Sequence, residues 1–259
     1  SLPSMYEEGY AFSYLYPFSS AFYRKFGYEM CGEQVLYEVN LQSYSRFDVG
    51  GYVVLAEGDA CFADIKRVYE EFARGMNMMC IREDDDYSWA RELNPAKDCV
   101  YTFVYYSGDG VPKGVTFSKE RMDGFYAKLA CKQFFFSDPE GMKGLLNHAL
   151  AYTAYYSHIC FRLPVHMDVQ SVIPEWPKLP YQRTLAHVGM ARVVNAEQVL
   201  SLAEYRGEGT VRIAIWDEQV EQNNGCFAVT FADGRAVSVT KEEAKPDISM
   251  GISDFSRLI

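Results

Sequence analysis

A short segment near the start of the chain contains a tyrosine whose position suits acid chemistry. Between Tyr16 and Glu29, Ser19 and Ser20 open a short predicted helix, and Gly27 fits its exit, where a left-handed residue is often needed. Helical side chains lean toward the helix N-terminus, so the Tyr23 hydroxyl is expected near the first turn. The N–H groups and serine hydroxyls there favour an anion. The spacing therefore suits an acid that protonates a departing anion, and core packing is the alternative role.

Two other polar motifs resemble binding sites but have simpler interpretations. The acidic run Glu83–Asp86 precedes a predicted helix, where carboxylates cap the first turn and complement the helix dipole. Adjacent carboxylates do not converge naturally on one cation. The glycine-rich stretch Gly108–Gly114 joins two predicted strands and lacks the spacing of a nucleotide-binding loop. We therefore predict a helix cap and a hairpin turn.

The histidines and cysteines show no catalytic or metal-binding spacing. No HExxH, GxSxG or C-x-x-C pattern occurs, so we expect no metal site, no serine hydrolase triad and no disulfide framework. Core or surface positions are expected for the histidines, and reduced thiols in a cytoplasm for the cysteines. These residues are His148, His158, His166, His187, Cys31, Cys61, Cys80, Cys99, Cys131, Cys160 and Cys226.

Composition and charge restrict the class of partner. The chain has 259 residues, 49% of them hydrophobic, and a formal net charge of −10. Such a charge argues against a nucleic-acid partner, because phosphates require neutralisation by Lys and Arg. It weakly favours cationic substrates. No apolar run approaches a membrane span, and no signal peptide is visible, so no membrane partner is expected.

Helix and strand patterns alternate along the whole chain, which predicts an α+β or α/β class. The glycine-rich stretch and Asp233-Gly234 are each expected to turn a β-hairpin, and Asn195 to cap a helix. The proline-rich segment 163–180 is expected to be a boundary loop. The predicted helices are the end of one before Tyr10, Ser19–Phe26, Phe62–Met76, a helix near Asp84–Asn94, Pro139–Tyr156, and one after Asn195; the first predicted strand is Ala11–Phe18.

Three segments, in this order, resemble parts of one known family. They read YLYPFSSAFYRKFGYE, ARVVNAEQVL and DISMGISDFSRLI. The first resembles the end of the first domain in N-acetyltransferases of the enhanced intracellular survival (Eis) type, which are three-domain members of the GNAT superfamily. The other two resemble the entry and the middle of the family's C-terminal domain, which is similar to sterol carrier proteins.

The resemblance implies an activity and a set of site residues. In the family, the first domain transfers an acetyl group from acetyl-CoA to primary amines, including those of aminoglycosides. Polyamine and lysine amines are related candidates. The resemblance implies that Tyr23 is the general acid for the coenzyme A thiolate, that Tyr16 and Phe18 line the amine pocket, and that Ser19 and Ser20 lie beside the pantetheine arm. It also implies a homo-oligomer.

The same resemblance implies three domains and an incomplete chain. We expect the end of a first GNAT domain at 1–47, a degenerate GNAT-like domain at 48–184, and a truncated sterol-carrier-like domain at 185–259. The family's R/Q-x-x-G-x-G/A loop, whose amides cradle the pyrophosphate, does not occur in these 259 residues. Ile259 does not match the terminal carboxylate that serves as base in the family. We therefore expect an internal fragment that is inactive by itself.

The loop that corresponds to a phosphate cradle in the middle domain carries acidic residues instead. Asp138 can cap the following helix, with Pro139 at its first position, and Glu140 adds a second carboxylate. These charges would repel a pyrophosphate, so we expect a structural role for this domain. The alternative for the whole chain is a scaffold without catalytic activity that binds an apolar ligand through its sterol-carrier-like domain.

Overall fold

The computed structural model describes residues 1–77, 79–92, 94–123, 126–173 and 181–258, and it confirms the α+β class. Within these ranges the helices are α1 (Leu2–Glu7), α2 (Ser20–Arg24), α3 (Phe62–Ala73), α4 (Ser88–Arg91), α5 (Pro95–Asp98), α6 (Pro139–Leu150), α7 (Ala196–Leu202) and α8 (Ile252–Leu258). The strands are β1 (Phe12–Leu15), β2 (Glu29–Asn40), β3 (Tyr52–Leu55), β4 (Val100–Tyr106), β5 (Pro112–Asp123), β6 (Tyr126–Phe136), β7 (Tyr156–Pro164), β8 (Tyr181–Val193), β9 (Gly209–Trp216), β10 (Gly225–Ala232), β11 (Arg235–Glu242) and β12 (Ile248–Gly251).

The chain divides into two compact units, one of which is a continuous segment, Gln34–Ala186. Its strands lie in the order β2-β7-β6-β5-β4-β3, and every neighbouring pair is antiparallel except β6 and β7, which are parallel. The long helices α3 and α6 supply much of its core, because each turns an apolar face inward. The buried residues on these faces are Ile65, Val68, Tyr69 and Phe72 on α3, and Met142, Leu145, Leu146 and Ala149 on α6.

Glycines let α6 approach its sheet unusually closely. A Cβ atom added at Gly141 would lie 2.0 Å from the carbonyl oxygen of Lys113, and one added at Gly144 would lie 2.4 Å from the ring of Tyr105. Only glycine is compatible with contacts this short. The helix begins with the cap that the sequence predicts, since the Asp138 carboxylate accepts a hydrogen bond from the Gly141 N–H at 2.9 Å.

The other unit combines Ser1–Glu33 with His187–Ile259. Strand β1 pairs antiparallel with β8, and a four-stranded sheet has the order β11-β10-β9-β12, in which β12 is parallel to β9. Helices α7 and α8 contribute to a hydrophobic core whose residues are buried. Its buried residues are Val193, Ala196, Val199, Leu200, Ile213, Ile215, Phe227, Val229, Ile252 and Phe255.

Several sequence predictions are confirmed and some boundaries are corrected. The hairpin between β4 and β5, the turn at Asp233-Gly234 and the Asn195 cap are all present. Helix α6 ends at Leu150 instead of Tyr156, because Tyr156 pairs with Ala127 at the start of β7. The single helix expected near 84–94 is a 3₁₀ turn followed by α4, and the α3 and α2 helices and β1 are shorter than expected.

The expected domain boundaries and the expected boundary loop remain predictions. The boundaries 1–47, 48–184 and 185–259 are not tested by the fold, and residues 174–180 of the expected boundary loop and Ile259 lie outside the described residues. Among the residues that the structure describes, no helix has the length and apolar character needed to cross a membrane.

Candidate functional site

The segment around Tyr23 begins with a capped helical turn. Ser19 has an extended backbone (φ −154°, ψ 113°) and precedes α2. Its hydroxyl accepts a hydrogen bond from the Phe22 N–H at 3.4 Å. Ser20 is the first helical residue and is half-buried. One of the N–H groups that the sequence pattern offers to an anion is therefore already used by the cap.

The Tyr23 ring is held among three other aromatic rings. Its centroid lies 5.3 Å from that of Phe18, 5.3 Å from that of Phe22 and 5.8 Å from that of Tyr28, and all three contacts are edge-on. The side chain is half-buried. Edge-to-face packing of this kind restricts ring rotation and adds to the burial energy. The ring thus has an orientation that is defined by its three aromatic neighbours.

The two residues expected to line an amine pocket are strongly exposed. Tyr16 is 73% exposed and Phe18 is 77% exposed. Phe18 lies against Tyr23, whereas the Tyr16 ring packs edge-on against Tyr14 at 5.6 Å. The structure therefore brings Phe18 to the predicted acid and places Tyr16 in a neighbouring aromatic pair. Exposed aromatic surface of this extent is typical of a binding surface.

A buried hydrogen bond supports the aromatic cluster from the interior. The hydroxyls of Ser13 and Tyr28 are 2.6 Å apart, and both residues are buried. Tyr28 presents its ring to Tyr23. Gly27, directly before it, has φ +84°, which confirms the left-handed exit that the sequence predicts. The rear of the Tyr23 ring is therefore anchored to strand β1 through Tyr28.

The sequence interpretation missed an arginine that contacts the end of the α2 turn. The Nε atom of Arg192 donates a hydrogen bond to the carbonyl oxygen of Phe26 at 2.9 Å. Arg192 is fully buried. A charged residue within the otherwise apolar stretch 188–194 is the signal that would have identified it, because buried charges require specific partners.

The two carboxylates predicted at the start of α6 both pair with one lysine of the unit Gln34–Ala186. The Nζ atom of Lys113 lies 2.9 Å from a carboxylate oxygen of Asp138 and 2.5 Å from one of Glu140. The pKa of Lys113 is raised mainly by its hydrogen bond to Glu140, with a smaller contribution from its hydrogen bond to Asp138. Since Asp138 also accepts from the Gly141 N–H, the first turn of α6 is neutralised by groups of the chain itself.

The acidic run forms the cap that its position predicts. An oxygen of the Asp86 carboxylate accepts a hydrogen bond from the Glu83 N–H at 2.9 Å. Asp84 instead pairs with Lys66 at 2.5 Å. Throughout the described ranges, no group of three or more His, Cys, Asp or Glu side chains is arranged to hold a metal ion.

The histidines have separate surroundings. The His148 ring lies 4.2 Å from the Phe103 ring, and burial lowers its pKa to about 4. His158 Nδ1 is 2.9 Å from the Ser157 hydroxyl, and His187 Nδ1 is 3.2 Å from a carboxylate oxygen of Glu33. His166 is exposed. None of these contacts resembles a catalytic triad.

Two family models match separate parts of the chain. Residues 1–31 match an acetyltransferase (GNAT) domain, and residues 196–259 match a sterol carrier protein domain. The first match contains the whole α2 segment with Tyr23. A comparison with curated protein sequences finds no match.

Solved structures share the fold of nearly the whole chain. A probable N-acyltransferase from Enterococcus faecalis superposes with a TM-score of 0.82 at 23% identity, over 99% of this chain and 64% of its own. A GCN5-related N-acetyltransferase from Anabaena variabilis gives 0.82 at 18% identity, over 99% and 65% of the two chains. Eis1 from Mycobacterium abscessus gives 0.71 at 18% identity, over 98% and 64%. The chain thus spans slightly less than two thirds of the length of these structures.

Proposed function

We propose that the protein to which this chain belongs is an acetyl-CoA-dependent N-acetyltransferase of the Eis type, acting on primary amines. The observation that carries the proposal is the position of Tyr23. It lies in the segment that matches the acetyltransferase model, and its half-buried ring is fixed among Phe18, Phe22 and Tyr28. The similarity of the whole chain to N-acyltransferase folds supports the same assignment.

In the proposed reaction Tyr23 supplies one proton. The amine nitrogen attacks the thioester carbonyl carbon of acetyl-CoA, a C–N bond forms, and the C–S bond breaks with its electron pair passing to sulfur. The Tyr23 phenol donates its proton to the departing thiolate, so that coenzyme A leaves as a neutral thiol. The attacking amine loses one proton to solvent. The Tyr23 phenolate then takes one proton from solvent, which restores the phenol.

The exposed aromatic residues and the acidic charge support a cationic amine as acceptor. Tyr16 and Phe18 present exposed rings next to the Tyr23 segment, and ring faces attract ammonium groups. The formal net charge of −10 acts in the same direction over longer distances. We therefore propose aminoglycoside-like, polyamine or lysine amines as substrates, with Ser19 and Ser20 beside the pantetheine arm of acetyl-CoA.

We propose a structural role for the second GNAT-like domain, placed at 48–184 between domains at 1–47 and 185–259. This role is supported by two contacts at the start of α6: Asp138 accepts the Gly141 N–H, and Lys113 pairs with Asp138 and Glu140, so these groups compete with a pyrophosphate for the same donors. Acetyl-CoA would therefore be bound by the first domain of the longer protein. We further propose that the protein forms a homo-oligomer in the cytoplasm. The intact mass of the natural protein tests whether these 259 residues are part of a longer chain.

The test of Tyr23 is its replacement by phenylalanine in the full-length natural protein. Release of free coenzyme A thiol is measured with acetyl-CoA and either a polyamine or an aminoglycoside. Loss of a general acid should lower kcat by roughly 100-fold, with a much smaller change in KM for the amine.

Tyr10→Phe is the matched control, because it removes a phenol hydroxyl from an exposed tyrosine within residues 1–31, which match the same acetyltransferase model. It should retain the parent turnover. If Tyr23→Phe turned over as fast as Tyr10→Phe, Tyr23 would not be the acid. The 259-residue chain alone should show no turnover, since it contains no pyrophosphate loop.

One observation favours a second candidate function, the binding of an apolar ligand by a non-catalytic protein. Residues 196–259 match a sterol carrier protein domain. The interior of that region, however, is filled by residues such as Phe227 and Phe255. A cleft of about 550 Å³ beside α7 has a mixed lining, with polar residues such as Glu197 on α7 and apolar residues such as Val237 on β11. Tight binding of a fatty acyl or sterol probe without acetyl transfer would favour this candidate.

A further inference from the structure

A fully buried ion pair lies next to the turn that follows α2. Nη2 of Arg192 donates to both carboxylate oxygens of Asp217, at 2.6 and 2.7 Å, and both side chains have no exposed surface. Removing two charges from water is unfavourable, so a buried pair is weak evidence for stability. The remaining contacts of the pair show which groups it holds in place.

The carboxylate of the pair is held rigidly by its own surroundings. Asp217 accepts hydrogen bonds from the backbone N–H groups of Gln219 at 2.9 Å and Val220 at 3.2 Å. It also accepts one from the side-chain amide of Asn223 at 2.8 Å. Asn223 in turn donates to the Val194 carbonyl at 2.9 Å. With this many donors, the carboxylate has little freedom, so it defines the position of the guanidinium.

The guanidinium connects the Asp217 carboxylate to the turn that follows α2. Besides the pair, Nη1 of Arg192 donates to the Val193 carbonyl at 2.6 Å, and Nε donates to the Phe26 carbonyl at 2.9 Å. Phe26 lies two residues beyond Arg24, the last residue of α2, in the turn that leads to β2. Arg192 donates to its carbonyl from a position that is fixed by Asp217.

The turn that receives this hydrogen bond is the one that carries Tyr23. The Tyr23 carbonyl accepts from the N–H groups of Phe26 at 2.9 Å and Tyr28 at 3.3 Å. Between them Gly27 adopts φ +84°, and a Cβ atom added there would lie 3.3 Å from Nε of Arg192. The guanidinium is thus packed directly against the backbone that closes α2.

We propose that Arg192, oriented by Asp217, is a positioning residue that fixes the α2 turn and thereby the phenol of Tyr23. This inference rests on the proposed function of Tyr23 as general acid. Asp217 belongs to residues 196–259, which match a sterol carrier protein domain. The inference therefore gives that region a role: it orients the acetyltransferase segment, which lies in the same compact unit.

Arginine and lysine differ at this position in one testable way. Lysine keeps a positive charge that can pair with Asp217, but it has a methylene carbon where arginine has Nε. Arg192→Lys therefore removes the hydrogen bond to Phe26 while retaining a charge in the interior. Arg206→Lys, at an exposed arginine of the same unit, is the matched control.

The first experiment measures amide hydrogen exchange in the 259-residue chain. In Arg192→Lys the N–H groups of Phe26 and Tyr28 should exchange about tenfold faster than in Arg206→Lys, while core amides of β9 and β10 keep their protection. Equal exchange at Phe26 and Tyr28 in the two variants would overturn the inference.

A second measurement needs no variant, so it remains informative if Arg192→Lys does not fold. In the unmodified chain, the Nε–H of Arg192 should be protected from exchange and show a hydrogen-bond scalar coupling to the Phe26 carbonyl in NMR spectra. Rapid exchange of this proton, without a coupling, would contradict the proposed contact.

Kinetics of the full-length natural protein separate positioning from general stability. Arg192→Lys should lower kcat about tenfold with little change in KM for acetyl-CoA, and it should cause no further loss in the Tyr23→Phe background, since it acts through Tyr23. An equal loss in both backgrounds would overturn the positioning role. If exchange accelerates but Tyr23→Phe is fully active, the turn is positioned as inferred and the proposed function of Tyr23 is wrong.

Discussion

Replacing His148 with phenylalanine should make the folded chain less sensitive to acid. His148 lies in the last turn of α6, where a helix dipole favours a cation by at most about 2 kcal/mol. Its ring nevertheless packs against Phe103 at 4.2 Å and Tyr152 at 5.2 Å. Burial outweighs the dipole and lowers the pKa from 6.5 to about 4. The folded chain therefore resists protonation at this position.

The sign and size of the effect follow from proton binding. Above pH 7 the imidazole is neutral in both states and contributes nothing to the pH dependence. As the pH falls below 6.5, the unfolded chain binds a proton at His148 that the folded chain does not, so stability decreases. Between pH 8 and pH 5 this group lowers the free energy of unfolding by about 2 kcal/mol.

Urea unfolding followed by far-UV circular dichroism at pH 8 and pH 5 measures this difference. His148→Phe keeps an aromatic ring beside Phe103 and should lose about 2 kcal/mol less stability on acidification than the parent. His166→Phe, at an exposed histidine of the same unit, is the control for removing one imidazole. If the parent and His148→Phe lost equal free energy between the two pH values, the assignment of a buried neutral imidazole would be wrong.

Two further predictions concern packing and thiol chemistry. Gly141→Ala should destabilise the chain by about 3 kcal/mol in urea, because its Cβ would meet the Lys113 carbonyl, whereas Gly108→Ala, with no atom within 4 Å, should change stability little. At pH 8, iodoacetamide should modify the exposed Cys80 at least roughly 100-fold faster than Cys160, whose pKa burial raises to about 11. Peptide mass spectrometry measures both rates, and comparable rates would contradict the burial of Cys160.

Local signals in the sequence were sufficient for the features that depend on local chemistry. Asp138 and Asn195 were predicted as helix caps because a cap and its N–H partner are three residues apart. The left-handed Gly27 was predicted for the same reason, since a helix exit is defined within one turn. Each of these interactions is complete within a few residues, so sequence order alone reveals it.

Features that depend on distant partners were not accessible in the same way. The end of α6 was placed six residues too late because apolar periodicity continues beyond Leu150, while the pairing of Tyr156 with Ala127 decides where the next strand starts. The Arg192–Asp217 pair joins residues 25 positions apart, and Arg192 reaches Phe26 across 166 positions. Nothing in the local pattern specifies such partners.

The charged groups at the beginning of α6 disfavour a bound pyrophosphate. A helix of 12 residues begins there, and Gly141 allows the close approach of a strand. The Asp138 and Glu140 carboxylates and the Lys113 ammonium together leave one net negative charge. A pyrophosphate would have to displace Asp138 from the Gly141 N–H and separate Lys113 from both carboxylates. Neutralising Asp138 alone would leave Glu140 paired with Lys113, so a single substitution at this helix should not create acetyl-CoA binding.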